Sequence, residues 1–296
     1  MSITPYLFLT GDTPLSARVY RETDDPFERQ PAVIITGSWL TVKEQMADQY
    51  ARALAARGFT VFTFDFAGFG ESGGEPRQAE VPARKIADIT AAARYVANLS
   101  FVQPGKVGYL AICASAQYAL AAIAAGAPIA SLVSVAGWFH DTATVAPFYG
   151  GPEGVRLRLE RASLALDRYQ RSGEVVTVPA YEAGNDRAGM FFELDYYADP
   201  RRGAVPAWHN EMVEFSWLYW LGFDGLSVAR AVTAPVLFVH GDQCVLPGNV
   251  KALRDQLAGP AELVWADGTQ TDFYDQPEHV SAAVNAAGAH FRRTLT

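Results

Sequence analysis

Short runs rich in β-branched residues alternate with longer helical patterns, and this alternation constrains the fold of the chain more than any other feature. The clearest runs are at 32–36, 59–66, 106–112, 129–138, 235–240 and 261–265. Helical patterns lie between or after them, at 42–57, 82–99, 114–125, 247–257 and 277–293. Strands that alternate with helices predict an α/β fold, a doubly wound and mostly parallel sheet with helices on both faces. In such a sheet the functional side chains collect at the carboxyl ends of the strands.

One long segment, 141–231, interrupts the alternation. Its helical periodicity recurs at 154–171, 187–199 and 206–223. We interpret this segment as a helical lid, inserted after the strand that ends near Trp138. The sheet and its helices are then formed by residues 1–140 and 232–296 together.

The lid segment is unusually aromatic, with ten aromatic residues between positions 191 and 223. Aromatic rings mostly serve as packing, so most of these should fasten the lid to the core. A few should line a substrate pocket. We expect Trp39 of the core and Tyr197, Trp217 and Trp220 of the lid in that role.

Composition excludes several classes of protein. The 296 residues suffice for one large α/β domain with an insertion. A net charge of −8 without a basic cluster argues against nucleic acid or an anionic membrane as a partner. No run of about 18 apolar residues marks a membrane span. Without a recognisable signal peptide, and with only two cysteines, a cytoplasmic location is expected.

The sequence also lacks the usual marks of a cofactor. No Cys/His cluster has metal-ligand spacing, and no glycine-rich phosphate-binding loop is present. We therefore expect neither a metal nor a cofactor, and a small molecule as the substrate. The oligomeric state stays open, a homodimer included.

The stretch KVGYLAICASAQYAL, at 106–120, predicts a strand that turns sharply into a helix. A nucleophile at such a bend needs small residues two positions before and after it. Cys113 at the apex has Ala111 and Ser115 there, whereas Ser115 at the apex would have the bulky Gln117. The register therefore favours Cys113. A helix N-terminus should lower the pKa of its thiol, and the alternative is a buried cysteine that packs as a small hydrophobe.

The same bend offers donors to a developing oxyanion. The backbone N–H of Ala114 should face the reacting carbonyl. We expect the second donor from Ser38 or Trp39, in the turn after the run at 32–36.

Four features together resemble the α/β-hydrolase superfamily, nearest to its dienelactone-hydrolase-like branch with a cysteine nucleophile. They are the Gly37-Ser38-Trp39 turn, the glycine-rich segment 65–74, the Cys113 elbow and the His240-Gly241 pair at a strand end. The resemblance implies an α/β-hydrolase fold. It also implies action on a carbonyl compound such as an ester, a thioester or a lactone.

Two positions depart from the catalytic triad of that family. Its acid usually follows the strand that ends in His-Gly, where this chain has Cys244, with Asp242 two residues earlier. Its histidine usually lies in a last loop resembling G-x-x-H-x-D-x-Y-D, where this chain has Gln270. A glutamine cannot take up a proton and can only position other groups by hydrogen bonds.

Another residue could supply the missing base. His140 is the preferred candidate, because it follows the strand after the elbow and so reaches the active edge. Asp272 is a second candidate base, and Asp242 a candidate orienting acid. Each of these carboxylates could equally cap a turn.

Three classes of function stay open. The first is a hydrolase that cleaves an ester, thioester or lactone through Cys113, against which the missing histidine counts. The second is a non-hydrolytic cyclase, lyase or carbon–carbon bond-forming enzyme that acts on a conjugated carbonyl compound in the aromatic pocket. The third is a catalytically inactive binding protein, since a fold does not fix a function.

Overall fold

The computed structural model describes residues 1–23, 25 and 27–295, and its centre is an eight-stranded sheet. The strands are β1 (Ser2–Thr10), β2 (Thr13–Arg21), β3 (Gln30–Thr36), β4 (Thr60–Phe64), β5 (Val102–Ile112), β6 (Ser131–Val135), β7 (Thr177–Val178), β8 (Met212–Val213), β9 (Val236–His240) and β10 (Ala261–Trp265). Of these, β7 and β8 form a separate two-stranded sheet. The helices are α1 (Met46–Ala55), α2 (Pro82–Ala97), α3 (Ser115–Ala124), α4 (Thr142–Val145), α5 (Gly151–Ser172), α6 (Asp195–Ala198), α7 (Ser216–Trp220), α8 (Pro247–Gln256), α9 (Asp272–Asp275) and α10 (Pro277–Thr294). Short 3₁₀ turns occupy Ala146–Tyr149 and Ala229–Ala231.

The large sheet has the strand order β1-β2-β4-β3-β5-β6-β9-β10. From β4 to β10 all neighbouring strands are parallel, and only β1 and β2 are antiparallel to their neighbours. The strands that carry the core, such as β3, β4 and β6, are buried along almost their whole length. The predicted α/β fold with a mostly parallel sheet is confirmed.

The strand order also explains why helices cover both faces. The connection through α1 leads from β3 outward to β4, whereas the connection through α2 leads back past β3 to β5. Because such crossovers are right-handed, α1 and α2 lie on opposite faces of the sheet. Helix α3 packs against α2, and α10 packs against α1. All the parallel strands therefore end at one edge, where β3, β5 and β9 deliver the residues considered below.

The N-terminal hairpin of β1 and β2 was not predicted. Its strands pair over their full length, from Ser2 opposite Arg21 to Thr10 opposite Thr13, and β2 joins the sheet through β4. Strand β1 forms the outer edge and leaves Leu7 and Leu9 largely exposed. A strand that is half exposed and is followed by no helix lacks the continuous apolar run from which the other strands were predicted.

Segment 141–231 contains one long helix, α5, close to the prediction at 154–171. Within 187–199 and 206–223 the helices are much shorter than the predicted ranges, because only α6 and α7 form there, with the small β7–β8 sheet between α5 and α7. Gly189 and Gly203 show one reason. A side chain at Gly189 would collide with the Trp39 ring, and one at Gly203 would collide with the Tyr196 ring. The aromatic spacing therefore reflects irregular chain packed closely on rings, not helical periodicity.

Candidate active site

The bend between β5 and α3 places Cys113 at its apex. Cys113 has a φ of +56°, a left-handed conformation that costs a non-glycine residue about 1–2 kcal/mol. Ser115 holds the bend, since its hydroxyl lies 3.1 Å from the carbonyl oxygens of both Thr36 and Ile112. The Ser115 hydroxyl is thus occupied by the backbone of two strands, and the thiol of Cys113 is the free nucleophilic group of the turn.

The sulfur of Cys113 is surrounded by hydrogen-bond donors. The backbone N–H groups of Ala114 and Trp39 and the side chains of Tyr274 and Gln270 all act to lower the pKa of the Cys113 thiol. Burial raises the pKa of the thiol all the same, because the loss of solvent outweighs these donors. The expected lowering of this pKa is therefore wrong. At neutral pH Cys113 is therefore a thiol.

Of the candidate oxyanion donors, the backbone N–H groups of Ala114 and Trp39 are the ones that act on the Cys113 sulfur. Ser38 is engaged elsewhere: its N–H donates to the Met46 sulfur at 3.2 Å, and its hydroxyl pairs with the Tyr197 hydroxyl at 2.5 Å. On a carbonyl group attacked by the sulfur, the oxygen could accept hydrogen bonds from these two N–H groups, and two such bonds stabilise a tetrahedral oxyanion.

A buried ion pair fixes the loop that carries Trp39. The ammonium of Lys43 lies 2.7 Å from an Asp65 oxygen and 2.6 Å from a Glu71 oxygen, with only 1% of the lysine side chain exposed. The Asp65 carboxylate also accepts the backbone N–H groups of Lys43 at 2.8 Å and Glu71 at 3.0 Å. The end of β4 thereby holds the turn after β3, and with it the second oxyanion donor.

Gln270 occupies the position expected of a histidine, and its amide is fully hydrogen-bonded. Its nitrogen donates to the Ala136 carbonyl at 2.7 Å and to the Tyr274 hydroxyl at 3.0 Å. Its oxygen accepts the Val245 N–H at 3.1 Å. Cys244, at the acid position, is buried, and burial raises the pKa of its thiol to about 12. Gln270 and Cys244, at the two positions where the resemblance implies triad residues, are therefore both neutral at pH 7.

A cavity of about 220 Å³ opens beside Cys113. Its aromatic lining consists of Trp39, Trp138, Phe148, Tyr149, Phe192, Tyr197, Trp220 and Tyr274. The rings of Trp39 and Trp220 stack at 4.4 Å between centroids. None of the described residues that line the cavity is Asp, Glu, Lys, Arg or His. The site therefore suits an uncharged, largely apolar molecule.

Residues 32–284 of the chain match the model of the Alpha/beta hydrolase family. The chain belongs to this family. A thiohydrolase of Eupenicillium brefeldianum is 31% identical over 81% of this chain and 79% of its own length. The acyltransferase drtE of Aspergillus calidoustus is 27% identical over 86% of this chain and 82% of its own. The crystal structure of a hypothetical protein from Pseudomonas aeruginosa superposes with a TM-score of 0.85, at 24% identity and over 99% and 94% of the two chains.

Of the four expected substrate-binding rings in this α/β hydrolase, Trp39, Tyr197 and Trp220 line the cavity. Trp217 does not: it lies behind Trp39, with 5.7 Å between ring centroids, and packs on Tyr149. It supports the wall of the cavity and does not contribute to its surface.

The candidate base His140 is not brought to the cavity of the α/β hydrolase. It is 0% exposed, its Nδ1 accepts the indole N–H of Trp138 at 2.6 Å, and its Nε2 donates to the Trp220 carbonyl at 2.9 Å. Burial lowers its pKa to about 4. Both nitrogens are committed to the cavity wall, so His140 supports two of the lining rings and has no free nitrogen for a substrate proton.

The two candidate carboxylates also lie away from the cavity. Asp242 has a side chain that is 75% exposed and 3.4 Å from the Lys251 ammonium. Asp272 accepts the backbone N–H of Thr269 at 2.7 Å and so closes the turn before α9. The turn-capping alternative describes Asp272, and neither carboxylate lines the cavity that contains Cys113 and Gln270.

Tyr274 is not among the predicted site residues, yet it lines the cavity with Cys113 and hydrogen-bonds to Gln270. Its signal was present, because the last-loop pattern contains a tyrosine four residues after the histidine position. In the described part of the chain no group of three or more His, Cys, Asp or Glu residues could hold a metal ion. The described helices include none with the length and apolar character that crossing a membrane requires.

Proposed function

We propose that this α/β hydrolase is an enzyme that takes up the acyl group of a hydrophobic small molecule on Cys113. The observation that carries the proposal is the thiol at a left-handed bend, between the N–H groups of Ala114 and Trp39, beside an aromatic cavity. As the sulfur attacks a carbonyl carbon, the carbonyl oxygen gains charge, and these two donors stabilise it. The resemblance to the dienelactone-hydrolase-like branch, with its cysteine nucleophile, supports the same role.

Thioesters suit the site better than esters or lactones. An ester or lactone must expel an alkoxide, which a neighbouring acid normally protonates. No imidazole or carboxyl group is among the described residues that line the cavity. A thiolate leaving group, with a pKa of about 8.5 for its thiol, departs with far less help. The names of two relatives, a thiohydrolase and an acyltransferase, support this choice.

The indole of Trp39 adds one requirement for the substrate. Its Nε1–H is buried in the wall of the cavity and has no hydrogen-bond partner among the described residues. An unpaired buried donor costs about 1–3 kcal/mol, which a substrate oxygen within reach would recover. We propose a substrate with a second oxygen near its reacting carbonyl group.

The fate of the acyl group separates two candidate functions. Hydrolysis needs a base that activates water, and Gln270 can only position a water or a carbonyl oxygen by hydrogen bonds. Its presence favours a non-hydrolytic outcome, in which the acyl group passes to a second small molecule or closes a ring. Hydrolysis through Cys113 is then the slow alternative reaction of the same intermediate.

The test is to incubate the protein separately with an alkyl thioester, the matched ethyl ester and a lactone. The mass of the intact protein is then measured by mass spectrometry. We expect an acyl adduct from the thioester that disappears in Cys113→Ala and persists in Cys244→Ala, the matched control. We expect little free acid, and we expect a new thioester or amide when an acceptor thiol or amine is added. An adduct that survives in Cys113→Ala, or the absence of any adduct and any turnover, would contradict the proposal.

A further inference from the structure

Tyr274 is the only hydroxyl-bearing residue in α9, and it lines the same cavity as Cys113. It is 2% exposed, its hydroxyl accepts the Gln270 amide N–H at 3.0 Å, and its side chain acts to lower the pKa of the Cys113 thiol. Its ring lies 6.4 Å from that of Tyr197, whose hydroxyl pairs with that of Ser38. The Tyr274 hydroxyl therefore lies where proton transfer to and from the sulfur would take place.

The hydrogen bonds of Gln270 fix the direction in which the Tyr274 proton points. The Ala136 carbonyl can only accept and the Val245 N–H can only donate, so the Gln270 amide has a single orientation. In that orientation the amide N–H donates to the Tyr274 oxygen at 3.0 Å. The Tyr274 proton is thereby directed away from Gln270, and the oxygen keeps a second lone pair that can accept the thiol proton of Cys113. A glutamine at this position has a definite task, which is to orient the tyrosine.

We propose that Tyr274 is the proton-transfer residue of this site, in the role that an imidazole has in a complete triad. The proposal rests on the proposed acyl uptake by Cys113. As the Cys113 sulfur bonds to the acyl carbon, the thiol proton passes to the Tyr274 oxygen, and the Tyr274 proton passes to the leaving sulfur. The bond between the acyl carbon and the leaving sulfur breaks, and the products are acyl-Cys113 and a free thiol.

This exchange leaves Tyr274 neutral before and after the step, so it needs no ionised group in the cavity. That property matters here, because burial raises the pKa of both Tyr274 and Cys113. A phenol that had to exist as a free phenolate would be disfavoured in such a wall, whereas a phenol that accepts one proton while it donates another is not. The polarity of the cavity thus favours a relay.

The decisive measurement is the pH profile of Cys113 acylation by an alkyl thioester in Tyr274→Phe. With the relay intact, the rate should change little between about pH 6.5 and 8.5. Without it, Cys113 must first ionise, so the rate should be about 10²-fold lower at pH 7 and rise about tenfold per pH unit. Tyr196→Phe is the matched control, since the Tyr196 hydroxyl accepts the Met46 N–H at 3.0 Å and does not line the cavity.

Parallel pH profiles for the wild type and Tyr274→Phe would overturn the proposal, even with a lower overall rate, because a purely structural tyrosine changes only the rate. If the wild type forms no acyl-Cys113, the proposed function fails separately. The interaction between Tyr274 and Cys113 is then tested by measuring the rate at which iodoacetamide alkylates Cys113 at pH 8. We expect Tyr274→Phe to react several-fold more slowly, because the thiolate loses a donor, and an equal rate would refute the role.

Discussion

Replacing His140 by asparagine tests whether this histidine is a buried structural group or the missing base. Burial lowers its pKa to about 4, against about 6.5 in an unfolded chain. Between these values the unfolded chain binds a proton at His140 and the folded protein does not. The stability that the neutral ring contributes is therefore present above about pH 6.5 and is lost as the pH falls towards 4.

The expected size of the effect follows from the two pKa values. One bound proton changes the free energy of unfolding by about 1.4 kcal/mol per pH unit, so His140 should account for a loss of roughly 3 kcal/mol across the window. Asparagine cannot titrate there. The stability difference between the wild type and His140→Asn should shrink by that amount between pH 7 and 4. His240 and Asp88, with pKa values of about 4 and about 6, shift both proteins equally and cancel.

Urea denaturation followed by tryptophan fluorescence at four pH values provides the measurement, because Trp138 and Trp220 lie against the substituted ring. A difference that stays constant with pH would refute the buried, neutral histidine. The acylation rate at pH 7.5 gives an independent check. We expect His140→Asn to stay within tenfold of the wild type, whereas a loss of about 10²-fold or more would make His140 the general base after all.

Three further predictions concern the groups around Cys113. Lys43→Met should lower the free energy of unfolding by about 3–5 kcal/mol in urea denaturation, because it leaves the buried Asp65 carboxylate without its ammonium partner; a loss below about 1 kcal/mol would contradict this. Gln270→His alone should raise the rate of aryl-ester hydrolysis little, whereas Gln270→His combined with Cys244→Asp should raise it at least tenfold. An unchanged rate in the double variant would show that these are not triad positions. Cys113 and Cys244 should both react more slowly with iodoacetamide at pH 7.5 than a free cysteine, because burial raises both pKa values, and equal rates would refute that environment.

The sequence predicted the parts of this molecule that depend on local pattern. Buried parallel strands such as β3 and β9 are continuous apolar runs, and the bend at Cys113 needs only small neighbours within two positions. The hairpin of β1 and β2 escaped because an exposed edge strand has no such run. The helices expected across 187–199 and 206–223 form only in part, because the aromatic residues there repeat at spacings that also occur in helices. Much of this segment is instead irregular chain, in which Gly189 and Gly203 approach aromatic rings closely.

The site shows the same division between local and distant effects. Ala114 follows Cys113 in the chain, so its donor role could be predicted from the bend alone. The role of Tyr274 depends on how the last loop lies against the elbow, and the sequence does not contain that distance. His140 was expected at the active edge because its strand ends there. Its ring is instead held within the wall, by a tryptophan two residues before it and by the backbone of α7.

The two departures from the triad are best understood together, and the buried histidines of this protein show why. His140 and His240 both have pKa values of about 4, because burial without a carboxylate partner disfavours the imidazolium. A histidine at position 270 beside the buried thiol of Cys244 would lack that partner too, and would be a poor base near pH 7. Gln270 instead satisfies a carbonyl, an N–H group and the Tyr274 hydroxyl at once. With Cys244 at the acid position, an amide that orients a neutral proton relay serves the thiol better than an imidazole that stays uncharged.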